Sequence, residues 1–588
     1  MKNNLLIWLL LFSLSTFSQN NNFTGKPIIG NNLILDSKLK FVSGNKNFSK
    51  VTFLENPSST APILEFETLS QPKFIFNCAT AFPIKKGNYK SGSVFLVSFE
   101  AKTIKSSLET GEAKVNILFR QTSSYKDNKI ATQSISSNWQ KYYIPFESNV
   151  ALTKKEFKLV FHYGFKPQSF QLKNLKFEVF PEGTDIAHLP KTKIRYKGME
   201  ADANWRKYAI YRIEKNRKSD FQIQFSKNGK PVKNKTLSIE LVKHNFPFGA
   251  AAEAKKIANN PKYYNNFKKA FNHVVLANDL KIKAWRWEQK RPTTLKALEM
   301  LQKDKYNVKG HVLIWPGFNY LTPVFKEKQN DSETIIKLMD DHVNTMLDVT
   351  KGKVTIWDVV NEAYTNQDLQ KITGSEEILY DGFRTLKAKQ PNVLAFTNEY
   401  GIISKGGLDS KKQQWYYNFV KRIDEKTNGL IDGLGIQCHI GSDLTPPEKV
   451  VRLLNYYASL GKKISISEFT MDIQDPEIRE QYTKDFMIAA FSHPSVSEFL
   501  FWGFVEDERK KVDIYKKDWT IGAMGKAYFS LVEGAWKTKI VDKTNKEGFV
   551  KGRGFHGKYK YSFVEGNKIV KGTFYVNPNQ SNFVKINL

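Results

Sequence analysis

Two glutamates in the second half of the chain, Glu362 and Glu468, have the residue type and setting that acid–base and nucleophilic chemistry requires. Each lies at the end of a short apolar run, TIWDVVNE (355–362) or ISISEFT (464–470). A carboxyl group that keeps its proton can protonate a leaving oxygen, whereas an ionised one can attack carbon. Cleavage of a glycosidic bond with retention needs such a pair, about 5–5.5 Å apart. That reaction uses no metal and no cofactor, so we expect none.

Other apolar runs of this half also end in side chains that could bind a ligand. These side chains are His311 and Trp315, Asn361, Asn398 and Glu399, Gln437 and His439, and Trp502. Any one of them could be a structural polar group that the backbone satisfies. So many strand ends that converge on one mouth favour a site instead.

Eight such runs, separated by long helix-like stretches, indicate buried parallel strands. The runs are 248–253, 273–278, 309–315, 355–362, 394–400, 433–439, 464–470 and 498–504. Eight β/α units predict a closed (β/α)8 TIM barrel, whose strands all end at one mouth. A doubly wound open sheet is the competing architecture, and it would spread the polar strand ends along an edge.

The rest of the 588-residue chain suggests a multidomain protein. An apolar N-terminal stretch predicts a signal peptide over 1–18. Short strands with alternating apolar and polar residues predict a jelly-roll-like β-sandwich over 19–182. A stretch rich in polar and turn-forming residues predicts a linker over 183–204. The barrel domain with a leading β-hairpin is assigned to 205–540, and strands over 541–588 are expected to pack near it. A C-terminal sorting domain is the alternative for that last segment.

Residues 245–540 resemble glycoside hydrolase family 10, whose members are mainly endo-β-1,4-xylanases with a retaining mechanism. WDVVNEA (357–363) and ISEFTMD (466–472) carry the resemblance. Further matches are NDLK (278–281), GHVLIW (310–315), TNEY (397–400), GIQCH (435–439) and FWGF (501–504). The sandwich is similar, by its strand pattern, to carbohydrate-binding modules, and a sandwich that only packs on its neighbour is the alternative.

The family resemblance implies a role for each matching residue. Glu362 becomes the general acid/base and Glu468 the nucleophile. The substrate-binding residues implied in the same way are Asn278, Lys281, His311, Trp315, Asn361, Gln437, His439 and Trp502. Gln437 is expected to help set the acid/base, and His439 to hydrogen-bond the nucleophile.

The sequence departs from the family pattern at three places. Ala277 stands where Glu is usual, Pro316-Gly317-Phe318 replaces His-Ser-Gln, and Thr470 replaces an Asp that follows the nucleophile. The first two changes remove polar contacts to the sugar, and the third weakens the charge that holds the tautomer of His439. Both glutamates are kept, so the chemistry is expected to survive while plain xylan specificity stays open.

The net charge and the cysteine content limit which partners and which cellular compartment are expected. The net charge of +32 allows attraction to an acidic polysaccharide, although a solvated Lys-rich surface is the simpler interpretation. No nucleic-acid-binding motif is present, and no segment is long enough to insert in a membrane. We therefore expect a polysaccharide substrate, no nucleic acid and no membrane insertion, in a secreted or periplasmic protein whose oligomeric state is unknown. Cys78 and Cys438 are expected to be buried free thiols, and a noncatalytic glycan-binding protein is the rival function.

Overall fold

The computed structural model describes residues 31–32, 42–54, 62–84, 88–108, 111–121, 127–148, 151, 157–441 and 443–588. They belong to two compact units, Met1–Lys193 and Ile194–Leu588, so the division falls inside the segment expected as linker. The expected signal peptide at 1–18 lies outside the described residues. No helix among the described residues is long and apolar enough to cross a bilayer.

The described residues of the first unit form two antiparallel sheets. Its strands are β1 (Asn31–Asn32), β2 (Val42–Ser43), β3 (Ser49–Leu54), β4 (Ile63–Thr68), β5 (Ala79–Pro83), β6 (Val94–Ser106), β7 (Ala113–Gln121), β8 (Asp127–Ile135), β9 (Gln140–Glu147), β10 (Phe157–His162) and β11 (Gln168–Val179). The sheet orders are β3-β4-β11-β6-β9, with β1 on β11, and β2-β5-β10-β7-β8. Phe66 and Phe177 from one sheet and Phe161 from the other share one core, because alternate residues of each strand face inward. The predicted antiparallel sandwich is confirmed.

The second unit is built around a closed parallel barrel. Its strands are β15 (Phe248–Ala252), β16 (His273–Leu276), β17 (Asn307–Ile314), β18 (Ile356–Asn361), β19 (Leu394–Glu399), β20 (Gly433–Ile436), β21 (His439–Ile440), β22 (Lys463–Met471) and β23 (Val496–Phe501). The order runs from β20 back to β15 and then through β23 to β22, and the pairing of β20 with β22 closes the ring. The eight predicted runs are these strands, with β21 a short extension of the sixth. The (β/α)8 prediction is confirmed and the open sheet is excluded.

Helices separate the barrel strands, as burial of both sheet faces requires. They are α1 (Asn204–Arg217), which precedes the barrel, α2 (Ala254–Asn259), α3 (Pro261–Ala270), α4 (Ile282–Trp285), α5 (Arg291–Lys303), α6 (Pro323–Glu327), α7 (Ser332–Thr350), α8 (Asp368–Thr373), α9 (Glu377–Lys389), α10 (Ser410–Lys426), α11 (Pro447–Ala458), α12 (Pro476–Ser492) and α13 (Ala523–Phe529). Asp331, Asp409 and Asp475 each accept a hydrogen bond from a first-turn backbone N–H of α7, α10 and α12. An Asp at such a position stabilises the first turn of a helix, so the sequence itself indicates where these three helices begin.

The strands before the barrel pair with those after it. They are β12 (Lys218–Lys227), β13 (Lys230–Pro231), β14 (Thr236–His244), β24 (Lys539–Lys543), β25 (Phe549–Phe555), β26 (Gly557–Glu565), β27 (Lys568–Val576) and β28 (Phe583–Asn587). β12 pairs with β25 and β28, whereas β14 pairs with β24 and β26. The expected leading hairpin is not formed, because β12 and β14 lie in different sheets and do not pair with each other. Each of them pairs instead with strands of the last segment, which packs into the same core as the barrel, so the expectation that this segment lies near the barrel is confirmed. Cys78 and Cys438 are buried free thiols.

Candidate active site

The two glutamates meet through a chain of amide side chains at the carboxyl ends of the barrel strands. Gln437 Nε2 donates to Glu362 Oε1 at 3.1 Å and to Asn361 Oδ1 at 3.3 Å. Asn398 Nδ2 donates to the same Asn361 oxygen at 3.0 Å and to Glu468 Oε1 at 2.8 Å. These four hydrogen bonds join both carboxyl groups into one network at the barrel mouth. The arrangement places them where two acidic groups can act on one substrate.

Asn398 is the member of this network to which the sequence analysis assigned no role. Ser467 Oγ donates to Asn398 Oδ1 at 2.6 Å, which turns the amide nitrogen of Asn398 towards Glu468. The motif TNEY, at the end of β19, was the available signal, because it placed an amide at the same mouth. The pairing across strands could not be derived from it.

The second oxygen of Glu468 contacts His439. His439 Nε2 lies 3.1 Å from Glu468 Oε2, and His439 Nδ1 lies 2.9 Å from Thr470 Oγ1. A threonine hydroxyl can donate to Nδ1, which leaves the proton of a neutral imidazole on Nε2, facing Glu468. Thr470 therefore keeps a hydrogen bond to His439 at the position where the family has a carboxylate, but its hydroxyl can donate to Nδ1, whereas a carboxylate can only accept from it, and the negative charge is absent. Both oxygens of Glu468 therefore face N–H groups that can donate to them.

Glu362 is held in a different environment. Burial raises the pKa of Glu362 above its ordinary value, the hydrogen bond from Gln437 opposes this, and the charge of Glu468 raises the pKa further. Its backbone has φ 54°, and Asn366 Nδ2 donates to its carbonyl oxygen at 3.0 Å. A raised pKa favours the protonated form of Glu362, which is the form that a general acid uses.

Lys281 and Asn278 lie beside the two glutamates. Lys281 Nζ donates to Asn278 Oδ1 at 2.8 Å and lies 4.9 Å from the centroid of the Trp315 ring. Burial lowers the pKa of Lys281, whereas the charges of Glu468 and Glu362 raise it. The ammonium group is thus within electrostatic reach of both carboxyl groups, and Asn278 is exposed at the mouth.

Aromatic rings form one side of the mouth. The His311 ring lies edge-on to Trp502 and Trp315, at centroid distances of 5.2 and 6.2 Å. Trp315 also stacks flat on Tyr320 at 3.6 Å with an angle of 6° between the rings. Tyr320 is a residue of the site that no sequence pattern indicated, and it covers one ring face of Trp315. All ten predicted site residues lie at this end of the barrel.

One buried amide donor in the network is unsatisfied. Asn361 Nδ2 is buried, and no hydrogen-bond partner for it lies among the described residues. An unpaired buried N–H costs about 1–3 kcal/mol, so a ligand hydroxyl that accepts from it would be favoured.

A chain of buried charges runs below the site through the barrel interior. Lys309 Nζ lies 2.6 Å from Glu498 Oε1 and 3.1 Å from Asp358 Oδ1, and all three side chains are at most 2% exposed. Asp358 Oδ2 lies 2.9 Å from His311 Nδ1, and Glu498 Oε2 lies 2.8 Å from His273 Nε2. Asp358 therefore accepts the Nδ1 proton of His311, which orients the imidazole from below.

Replacement of Lys309 by methionine is expected to destabilise the protein strongly. Removal of one partner leaves Asp358 and Glu498 as buried carboxylates without their shared cation, which costs about 3–5 kcal/mol of unfolding free energy. The exposed pair Lys337–Asp341 provides the control, because Lys337→Met should cost less than about 1 kcal/mol. Urea unfolding followed by circular dichroism measures both, and equal losses for the two variants would contradict the prediction.

Comparison with known proteins gives a family match over the barrel. Residues 238–517 match Glycosyl hydrolase family 10. The chain is 25% identical over 391 residues to endo-1,4-beta-xylanase 1 of Arabidopsis thaliana, which covers 64% of this chain and 40% of that protein. It is 29% identical over 279 residues to endo-1,4-beta-xylanase B of Neocallimastix patriciarum, with 44% and 31% covered. It is 26% identical over 376 residues to Anti-sigma-I factor RsgI6 of Acetivibrio thermocellus, with 62% and 47% covered. The chain thus spans less than half the length of each of these relatives.

Proposed function

We propose, from the match of the barrel to glycosyl hydrolase family 10, that this chain is a retaining, endo-acting glycoside hydrolase of β-1,4-linked polysaccharide, with xylan or substituted xylan as substrate. The observation that carries the proposal is the hydrogen-bonded network that joins Glu362 and Glu468 at one mouth. The family match and the xylanase names of two relatives support the substrate class.

The site supports a double displacement. In the first step Glu468 attacks the anomeric carbon, the glycosidic bond breaks, and Glu362 gives its proton to the leaving oxygen. In the second step Glu362, now ionised, takes a proton from water as the water oxygen attacks the anomeric carbon. Glu468 leaves as a carboxylate, and the configuration at that carbon is retained. The two environments suit these roles, because Glu468 faces two N–H donors and Glu362 has a raised pKa.

The remaining residues of the mouth bind and orient the sugar in this proposal. Asn278, Lys281 and His311 hold hydroxyl groups, and Trp315 and Trp502 pack against the apolar C–H faces of the pyranose ring. Asn361 offers its unpaired amide proton to a hydroxyl beside the scissile bond. Ala277 and Phe318 offer no polar contact, so the glycone side has fewer hydrogen bonds than the family pattern provides. We therefore include substituted xylans among the substrates.

Product analysis tests this function. The protein is incubated with neutral and acidic polysaccharides, and we expect oligosaccharides from xylan whose new reducing ends are first β-anomers by NMR. The net charge of +32 favours an anionic β-glycan as the second candidate substrate. Its signature is cleavage that weakens steeply as salt rises, because surface charges are screened within about 10 Å at 0.1 M salt. Binding without turnover on every glycan would identify a noncatalytic capture protein.

The proposal also assigns glycan binding to the sandwich. Phe74 and Phe76 are 48% and 54% exposed, and their rings stack at 5.1 Å with 6° between them. Their turn is rigid, because Phe74 N donates to Asn77 Oδ1 at 3.1 Å and Gly164 N donates to Ile75 O at 3.3 Å. A fixed, exposed aromatic pair presents apolar faces of the kind that sugar rings stack on.

Replacement of both Phe74 and Phe76 by alanine is expected to weaken retention on insoluble xylan by about tenfold, the equivalent of about 1.4 kcal/mol. Hydrolysis of short soluble oligosaccharides should stay unchanged, because the barrel is untouched. Ile104→Ala serves as control, since Ile104 is another exposed apolar residue of the sandwich, at 46%. Retention that matches the parent would show that the sandwich does not bind glycan through this pair.

Export completes the proposal. The apolar stretch within residues 1–18 supports a secreted or periplasmic location. Cell fractionation tests it: a mature protein that starts near residue 19 outside the cytoplasm is expected, and an uncleaved cytoplasmic protein would refute it.

A further inference from the structure

A buried ion pair lies behind the turn that follows Glu362. Glu399 ends β19, Lys412 lies in the first turn of α10, and their side chains are 1% and 4% exposed. Lys412 Nζ lies 2.9 Å from Glu399 Oε1. Burial of such a pair is costly unless the remaining lone pairs are also satisfied. In this pair, hydrogen bonds from neighbouring backbone N–H groups satisfy the remaining lone pairs of the Glu399 carboxylate.

The carboxylate of Glu399 holds the turn of the acid/base. Its Oε2 accepts a hydrogen bond from Tyr364 N at 3.2 Å, and its Oε1 accepts one from Tyr400 N at 3.1 Å. Glu362 N itself donates to Asn398 O at 2.9 Å. The chain on both sides of the Glu362 side chain is therefore bound to the end of β19.

The ammonium group of Lys412 holds two rings of the same turn region. It lies 3.2 Å from the centroid of the Tyr400 ring and 5.1 Å from that of Tyr364. Tyr400 OH also donates to Thr365 Oγ1 at 3.3 Å, which is a further link to the segment after Glu362. A cation between aromatic faces and a carboxylate restricts the backbone positions of both tyrosines.

We infer that Glu399 and Lys412 are positioning residues that hold the turn of Glu362 and so place its carboxyl group for proton transfer to the leaving oxygen. The inference rests on the proposed function. Neither side chain has to touch the sugar, because both act through the backbone of Tyr364 and Tyr400. Their removal should impair protonation of the leaving group more than attack by Glu468, which lies on a different strand.

Lys412→Met removes the cation of a buried ion pair, so some loss of unfolding free energy is expected, which protonation of Glu399 would offset in part. Burial raises the pKa of Glu399 to about 7 even with Lys412 opposing this, so a Glu399 without its cation can take up a proton. A neutral carboxyl group is a weaker acceptor than a carboxylate, because charge-assisted hydrogen bonds are about twice as strong. The contact with Tyr364 N then loosens while the carboxyl group keeps its place.

The test compares two substrates. For Lys412→Met, kcat/KM on an unsubstituted xylo-oligosaccharide is expected to fall about tenfold to a hundredfold, because small misplacements of a catalytic group have effects of this size. On a dinitrophenyl xylobioside, whose leaving group needs no proton, kcat/KM should change by less than about twofold. Lys411→Met is the matched control, since Lys411 is its exposed neighbour on α10, and it should leave both values unchanged.

Glu399→Gln provides a second route to the same answer. A glutamine side chain has one acceptor oxygen, whereas the backbone N–H groups of Tyr364 and Tyr400 each need one. We therefore expect the same result as for Lys412→Met: a large loss of kcat/KM on the unsubstituted substrate and little change on the dinitrophenyl substrate. If Lys412→Met does not fold, as judged by circular dichroism, this variant decides. Equal losses on both substrates in the folded variant would show a general structural role and overturn the inference. A parent protein that hydrolyses neither substrate would instead refute the proposed function.

Discussion

Glu468→Gln is expected to abolish hydrolysis of every glycan, with kcat lowered by about four orders of magnitude or more. Glutamine has the shape of glutamate but cannot attack the anomeric carbon, and loss of a covalent nucleophile has effects of this size in other enzymes. The amide can keep the surrounding contacts. Its oxygen can still accept from Asn398, and its NH2 can donate to His439 Nε2 if the imidazole proton moves to Nδ1, where the Thr470 hydroxyl can accept it. The measurement is reducing-sugar release together with trapping of the glycosyl-enzyme by a fluorinated substrate analogue.

The control for this variant is an exposed glutamate far from the mouth. Glu425 lies near the carboxyl end of α10 in an exposed ion pair with Lys421, so Glu425→Gln should keep parental activity. The analogue should label the parent and this control at one residue, Glu468, and should not label Glu468→Gln. Parental turnover by Glu468→Gln would remove the nucleophile from the position assigned to it.

Glu362→Ala is expected to lower kcat/KM on unactivated xylo-oligosaccharides by about 10²–10⁴-fold, the usual contribution of general acid–base catalysis. Substrates with good leaving groups should be spared in the first step, because they depart without a proton. In the parent, kcat/KM on oligosaccharides should fall on the alkaline side as Glu362 loses its proton. Since the pKa of Glu362 is raised, this fall should come at a higher pH than an ordinary glutamate would give. The charge of Glu468 is one cause of this raised pKa, after burial.

In Glu362→Ala the alkaline fall should disappear when the activated substrate is used. The exposed residue Glu299 on α5 supplies the control, and Glu299→Ala should reproduce the parental pH profile. A Glu362→Ala variant that loses the same factor on activated and unactivated substrates would argue against an acid/base role. Glu468→Gln and Glu362→Ala together distinguish the nucleophile, whose loss affects every substrate, from the acid/base, whose loss affects chiefly the unactivated ones.

Much of the architecture was predictable from local pattern. The apolar runs that became β15 to β23 are short and continuous, and only burial on both faces explains such runs. The polar residue at the end of nearly every run could be assigned to one mouth, because parallel barrel strands share a direction. The positions of Glu362 and Glu468 followed from this rule and from the motif resemblance. The sandwich followed from the alternation of several short strands, since a period of two residues is typical of half-buried strands.

The contacts that make the site work could not be read in the same way. Asn398 reaches Glu468 because Ser467, on another strand, fixes its amide. Tyr320 covers one face of the Trp315 ring, and no sequence pattern in the loop between the two residues predicts this stacking. From residue types alone, Thr470 was expected to weaken the interaction that orients His439. In the structure the Thr470 hydroxyl still forms a hydrogen bond with His439.

Hydrophobic periodicity is a local property, so the order of residues was enough to define the strands, their common mouth and the two acidic groups that lie there. The partners of those groups depend on angles and distances between strands that are far apart in the chain, and a hydrogen bond forms only within a few tenths of an ångström. Lys412 shows the difference most clearly. Among the many lysines of this chain it has nothing distinctive in its sequence, and closure of the barrel alone brings its ammonium group to the buried carboxylate of Glu399.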